Sequence, residues 1–462
     1  MRITKSSFAL IIILALGILP ACKKDKDASG TPPPPPATSA ADKIKDSVLL
    51  YAKDIYLWYN QIPSTFNPRN YADPDAIMKA LRQYSKEPGF TQPVDLWSFA
   101  MKKAEWDNVQ SGIAGDFGLG IFFHTNDDLR VKAVEKESPA GKAGIRRGWR
   151  ITKINGNSTI NTSDASINFI VKNVFESTTT SFTFQKPDGS SVDITLTATT
   201  YREEPIFLDS VYTIDSKKIG YLVFNSFLGD TTKMYNDFQR IFTRFTQAGV
   251  NDVVVDLRYN GGGYVSVAQR LSNYLVNTSA TGQLMMKQEY NNKYSQYNSS
   301  VNFNKLGSLN LNRIFFIVSS STASASEMLI NNLKPFMEVF IVGPSKTLGK
   351  PVGFFPIPVG DWYIFPVSSR STNKNGEGSY FTGFPLNFTA PNDGLDKDWG
   401  DVNETNLRIV LNYITTGTFR LQARDTRTKS TAEQPQVKQG NLILDEPNFK
   451  GAVHRGGVKI NL

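Results

Sequence analysis

The sequence predicts a multidomain α/β chain: a small N-terminal helical domain, a β-rich domain with helices, and an α/β core with a mostly parallel sheet covered by helices. Three observations carry this. Residues 43–108 place apolar side chains at helical spacing. Residues 112–200 break into short β-type runs divided by Gly, Pro and Asp. From residue 219, apolar strand-like runs alternate with amphipathic helical ones. With 462 residues, 40% hydrophobic and 20% charged, the chain can build several ordinary cores. Its formal charge of +9 is spread along the chain, with no Lys/Arg stripe interleaved with aromatics, so nucleic acid is not expected as a partner.

The first 22 residues, "MRITKSSFALIIILALGILPAC", run from two cations through an apolar stretch that is short for a spanning helix. Their end, Leu19-Pro20-Ala21-Cys22, resembles a bacterial lipobox. That resemblance implies a lipoprotein signal peptide over 1–22, acylation of Cys22, and a membrane-anchored place in the bacterial cell envelope, at the outer membrane or its periplasmic face. A plain signal peptide or anchor is the alternative reading. Cys22 is the only cysteine, so no internal disulfide can form. Residues 23–42 contain five consecutive prolines and read as a semi-rigid linker.

In the 43–108 region, "DKIKDSVLLYAKDIYLWYNQI" spaces Val48, Leu49, Ile55 and Tyr56 for a helix, and "DPDAIMKALRQYS" opens on an Asp-Pro start signal. No chemistry is visible there. The segment 112–200 contains "SPAGKAGIRRGWRITKING", which resembles the central helix and following strand of bacterial PDZ domains. The resemblance implies that Phe117, Gly118, Leu119, Gly120 and Ile121 form a carboxylate-binding loop. Glycines there would expose backbone N–H groups, and the strand that follows would offer an edge to a peptide. The implied partners are proteins or peptides with apolar C-termini. The alternative is a small β domain used only for packing.

The core is expected over 204–420. Strands are expected at 219–224, 252–257, 314–319 and 339–343. Helices follow at "TTKMYNDFQRIFTRFTQAG", "YVSVAQRLSNYLV" and "SEMLINNLK". Residues 277–313, rich in Asn, Ser and Tyr, are too long for a simple connection and read as an excursion near the site or a loop. The polar tail 421–462 is expected to be poorly ordered. The sequence carries no signal of oligomeric state.

In a sheet of this type the carboxyl ends of the strands make the site. Three features fall there: Arg258-Tyr259-Asn260-Gly261-Gly262-Gly263, the run Ser320 to Glu327, and Pro344 to Lys350. The serine-rich run passes from a buried strand into a helix, where free N–H groups could hold an oxyanion. A serine needs a base. Of the two histidines, His124 lies in the β-rich domain and His454 in the tail, so a Ser-His-Asp triad is not expected. Lys350 remains; burial would lower its pKa and let a neutral amine take the serine proton.

These features, in this order behind a PDZ-like segment, resemble the carboxyl-terminal processing (tail-specific) proteases, which are serine/lysine endopeptidases. The residues are Asp256 to Gly263, Thr322 to Glu327, Gly343 through Lys350, and "GEGSYFTGFP" at 376–385. The resemblance implies Ser324 as nucleophile, with Ser326 as the alternative register, and Lys350 as general base. It implies oxyanion donors on the N–H of Ala325 and of Gly262 or Gly263, and neither metal nor cofactor. Two departures stand out. The loop before Lys350 is one residue longer than usual. Phe354 also occupies the place where many members carry a glutamine that positions the lysine, which leaves Asn331 or Asn332 as candidate replacements. Two other readings compete. A P-loop fails because Pro351 follows Lys350 and "PVGFFPIP" cannot open a helix. A catalytically weak or inactive PDZ scaffold lipoprotein that binds C-termini differs only in what Ser324 and Lys350 do.

Overall fold

In the computed structural model, which describes residues 39–420 and 451–453, helix α1 runs from Ala40 to Ile55 and buries Val48, Ala52 and Ile55 along one stripe. Residues 1–22 with Cys22, residues 23–38, and tail residues 421–450 and 454–462 with His454 lie outside the described residues. Helix α2 (Pro74–Leu81) starts where the Asp73 carboxylate accepts the Ala76 N–H at 2.9 Å, with Pro74 at the first helical position. Strand β1 (Phe99–Lys102) and helix α3 (Lys103–Ser111) complete this segment. It does not form a body of its own. Val48, Ile55, Ile77, Leu81 and Trp97 share one apolar core with the α/β part of the chain.

The next segment runs β2 (Ile113–Ala114), β3 (Leu119–Thr125), β4 (Asp128–Val134), α4 (Pro139–Lys142), β5 (Arg150–Ile154), α5 (Asp164–Val174), β6 (Thr179–Gln185), β7 (Ser191–Thr197) and β8 (Tyr201–Arg202). Strands β3 to β7 form an antiparallel sheet in chain order, so β3 is an edge. Period-two alternation sends Ile121, Phe123, Phe182 and Phe184 into a separate core with Ile170 of α5. The short pair β2–β8 closes the neck between this body and the rest.

The core opens with β9 (Ile206–Ile214) antiparallel to β10 (Lys217–Phe224). Then come α6 (Thr231–Gln247), β11 (Asp252–Asp256), β12 (Gly262–Tyr264), α7 (Val265–Leu275), β13 (Leu284–Tyr290), β14 (Ser299–Asn302), β15 (Arg313–Ile317), α8 (Ala325–Leu333) and β16 (Glu338–Gly343). After them are β17 (Val352–Phe354), β18 (Ile357–Val359), β19 (Trp362–Phe365), β20 (Ser369–Asn373), β21 (Phe388–Thr389), α9 (Thr405–Thr416) and, from the tail, β22 (Gly451–Val453).

The main sheet has the order β21-β16-β15-β11-β10-β9, parallel throughout except for β9. Its strands are apolar on both sides because both faces are covered. Leu222, Phe224, Val253, Val255, Ile314 and Phe316 join the core that includes α6, α7 and α8. Tyr221, Val223, Val254, Phe315 and Ile317 pack with Leu407, Val410 and Ile414 of α9.

A second six-stranded sheet, β12-β22-β17-β20-β13-β14, has no counterpart in the sequence-based expectation. The 277–313 excursion supplies β13 and β14 to it and docks on the N-terminal helices: Asn291 Nδ2 donates to the carbonyls of Asp54 (2.9 Å) and Tyr56 (3.1 Å). Of the tail 421–462 only residues 451–453 are described, and there β22 pairs on both sides with the open edges of β12 and β17.

Candidate active site

The three sequence features meet at the carboxyl ends of three adjacent parallel strands, β11, β15 and β16. The turns are stitched together. The Thr322 hydroxyl donates to the Leu257 carbonyl at 2.8 Å, and the Ala323 N–H donates to the Asn260 carbonyl at 3.1 Å. The Leu348 N–H donates to the Thr322 carbonyl at 2.9 Å.

Ser324 stands just before α8 at φ 59°, ψ −107°, a region that L side chains rarely adopt and that costs about 1–3 kcal/mol. It is a sharp strand-to-helix turn of the kind that holds a nucleophile at a helix N-terminus. Ser324 is buried, and among the described residues its hydroxyl makes no hydrogen bond. The Ser326 hydroxyl, by contrast, is engaged, donating to the Asn260 carbonyl at 3.1 Å. Ala325 opens α8, where helix geometry gives its N–H no acceptor.

Glu327 ties Ser324 and Lys350 together. Its carboxylate accepts the N–H of Ser324 at 2.8 Å, of Gly349 at 2.7 Å and of Lys350 at 2.8 Å. Burial raises its carboxyl above the usual range, while the Thr347 hydroxyl and these three N–H groups hold it back. Gly349 must be glycine: at φ 94°, an added Cβ would stand 2.4 Å from the Phe381 carbonyl oxygen.

Lys350 is fully enclosed, at 1% exposure. Burial pushes its ammonium well below the usual lysine range, against the opposing fields of Asp95 and Glu327. Its Nζ sits 4.0 Å from the centre of the Phe354 ring and 5.6 Å from that of Trp97. Asn331, a candidate replacement for the missing glutamine, is committed elsewhere. Its Nδ2 donates to the Glu377 carbonyl at 2.8 Å, and it accepts from Asn373. The other candidate, Asn332, is buried, and its Nδ2 has no partner among the described residues.

Gly262 and Gly263 take φ 108° and 136° at the start of β12. The Gly262 N–H points at Asn260 Oδ1, 2.9 Å away, and Asn260 Nδ2 is anchored on the Phe224 carbonyl at 2.9 Å.

The N-terminal segment, which shows no chemistry in sequence, brings Trp97 and Asp95 to the lysine. Asp95 is buried and accepts from Tyr56 Oη (2.8 Å), Ser98 Oγ (2.5 Å) and two backbone N–H groups. Nothing local in "DLWS" marks this. Glu327 could have been found as the far end of a Ser-x-x-Glu capping pattern.

Phe117 to Ile121 lie away from this cluster, at the start of edge strand β3, with Phe117, Leu119 and Ile121 buried. Gly118 has φ 75°, and its N–H donates to Asp116 Oδ1 at 2.7 Å. His124 lies on β3 in the same sheet. The two bodies are joined by buried charge. Arg147 pairs with Asp393, whose other oxygen takes Arg258 Nη1 at 3.2 Å and Tyr259 Oη at 2.6 Å. Arg258 also reaches Glu404 at 2.9 Å and Asp256 at 2.7 Å.

The chain matches three family profiles: "Peptidase family S41" over 218–381, "Peptidase S41 N-terminal domain" over 43–99 and "PDZ domain" over 130–174. Among curated proteins it is 29% identical over 261 residues to a "Probable CtpA-like serine protease" of Staphylococcus aureus (strain N315), covering 56% of this chain and 49% of that protein. A protein of the same name from Staphylococcus saprophyticus is 26% identical over 260 residues, covering 55% and 49%. The chain thus spans about half the length of the curated relatives it matches. A solved structure of a Bacteroides fragilis NCTC 9343 protein described as an S41 protease superposes with TM-score 0.65 at 24% identity, covering 80% of this chain and 97% of that one. That likeness speaks to the fold.

Proposed function

We propose that this chain, which matches the profile of peptidase family S41 over 218–381 together with profiles for that family's N-terminal domain and a PDZ domain, is a serine endopeptidase of that family working through Ser324 and Lys350. The observation that carries this reading is the Glu327 carboxylate holding the backbone of both residues, with an unbonded serine hydroxyl on one side and a buried lysine on the other.

The Ser324 hydroxyl gives its proton to neutral Lys350 Nζ as Oγ bonds to the scissile carbonyl carbon. The resulting oxyanion is received by the Ala325 N–H and the Gly262 N–H, for which it competes with Asn260 Oδ1. Lys350 then passes the proton to the leaving amine nitrogen as the C–N bond breaks. Water repeats the sequence on the acyl-enzyme, releasing the carboxylate and restoring Ser324. Phe354 supports the transient ammonium through its ring face.

The PDZ body supplies recognition in this reading. An apolar C-terminal tail extends the sheet at β3, with its carboxylate at the Phe117–Ile121 loop. Cys22, acylated, anchors the chain in the bacterial cell envelope, and residues 23–42 hold the folded part away from the membrane. Tryptic mass spectrometry of the membrane fraction, with Cys22→Ser beside it, tests the anchor: a diacylated or triacylated Cys22 peptide is expected.

Proteolysis of an unfolded protein with an apolar C-terminus, with products sized by mass spectrometry, tests the activity. Ser324→Ala and Lys350→Ala should each abolish cleavage, while Ser326→Ala keeps it. A chain that binds such tails and never cuts them leaves the scaffold reading in its place.

A further inference from the structure

A short stretch of the tail is built into the second sheet. Strand β22 (Gly451–Val453) lies between β12 and β17 and runs parallel to both. On one side Gly262, Gly263 and Tyr264 pair with Gly451, Ala452 and Val453; on the other, Gly353 and Phe354 pair with Ala452 and Val453. Val453 is 2% exposed and belongs to the main apolar core.

The two flanking strands are the ones that carry the site. β12 begins at Gly262, whose N–H the proposed reaction uses, and β17 begins two residues after Lys350 and holds Phe354 against its Nζ. In the sheet, β12 and β17 meet only through β22. Without β22 they would face each other as two open edges beside the catalytic groups. Such a gap accepts an extended backbone on both sides at once.

We propose that the gap between β12 and β17 is where an extended polypeptide lies during cleavage, and that the chain's own segment Gly451–Val453 is its resident occupant, which an incoming substrate must displace. The name of the gap as a substrate cleft rests on the Ser324/Lys350 reading; the occupancy stands on the strand pairings alone. A tethered segment competes at an effective concentration on the order of millimolar. Free peptides therefore bind weakly until the tail leaves, and the tail sets a threshold that short or poorly binding substrates do not pass.

The test uses the full chain in detergent with Ser324→Ala, so that binding is read without cutting. A fluorescein-labelled peptide of residues 447–457 is titrated by anisotropy against this protein and against two tail variants, Ala452→Pro and Val453→Asp. The proline removes an N–H and distorts the strand; the aspartate brings a charge to a buried position. Both should tighten peptide binding by about tenfold or more. Amides of 262–264 and 352–354 should exchange faster in both. In the Ser324-containing protein, the same tail substitutions should raise kcat/KM on unfolded substrate several-fold. Equal peptide affinity for all three proteins, with unchanged exchange at 262–264 and 352–354, overturns the proposal. If affinity and exchange change as expected yet no form of the protein cleaves anything, the occupancy holds and the peptidase reading is what fails.

Discussion

Lys350 shows how single groups set the chemistry. Burial removes water from its ammonium and favours the neutral amine, while the Phe354 ring 4.0 Å away and the field of Asp95 favour the cation. In the proposed mechanism this balance lets the lysine take a proton and hold it briefly. Since its pKa is lowered, activity should fall as pH drops through that lowered value and persist above it. Phe354→Leu removes a stabiliser of the cation worth about 0.5–2 kcal/mol, which moves the acidic limb of the kcat/KM profile to lower pH by about 0.4–1.5 units. A limb that stays put or moves upward would show that the ring does not act on the charge. Glu327 is the second case. Glu327→Gln keeps the shape but loses the negative charge that three N–H groups share, at about 1.5–3 kcal/mol for a charge-assisted bond. Acyl-enzyme formation should slow by about 10–100-fold with little change in KM, as read by rapid-mixing burst kinetics.

Strands and helices show why the site is rigid. Helix α8 is pinned at its first turn from two sides, by the Ser326 hydroxyl on the Asn260 carbonyl and by Glu327 on the base loop. Losing the first bond in Ser326→Ala should cost about 1 kcal/mol of stability while cleavage continues. Just after β4, the half-buried Glu135 has its carboxyl enclosed beside Glu203; loss of water first, and that like charge second, push it up to about 8 from 4.5. The folded chain then keeps a proton that the unfolded chain has released, so folding loses ground as pH rises from 4.5 to 8 and loses no more above 8. Glu135→Gln carries no such proton. Its melting temperature should gain on the parent steadily across pH 5 to 8 and then level off. A gap that is constant with pH would mean Glu135 titrates normally.

At the scale of the whole molecule, the bodies communicate through charge rather than through a shared apolar core. Burial alone would raise Asp393. Arg147 from the PDZ body and Arg258 from the turn after β11 instead hold it below the usual carboxylate range. The PDZ sheet keeps its own apolar cluster, and the β2–β8 neck and the Arg147–Asp393 pair connect it to the rest. Arg147→Ala strands a buried carboxylate on one side and should cost about 3 kcal/mol in chemical denaturation. A cost no larger than that of an exposed pair would show the contact to be peripheral.

Much of this was legible along the chain. The α/β alternation, the glycine-rich turn after β11, the serine-bearing turn before α8 and the lysine loop after β16 are local patterns. Periodicity and turn chemistry act within about ten residues, so the strands β10, β11, β15 and β16 and the helices that follow the first three could be read directly. Contacts between distant segments could not. Trp97 and Asp95 reach Lys350 across more than two hundred residues of sequence; Phe354 presents a ring face where a polar partner was sought; and three tail residues fill an edge that β12 and β17 leave open. The sequence by itself determined which residues could react and which elements carry them. The tertiary structure decided what surrounds them, because burial, field and edge pairing belong to the assembled space and not to any stretch of chain.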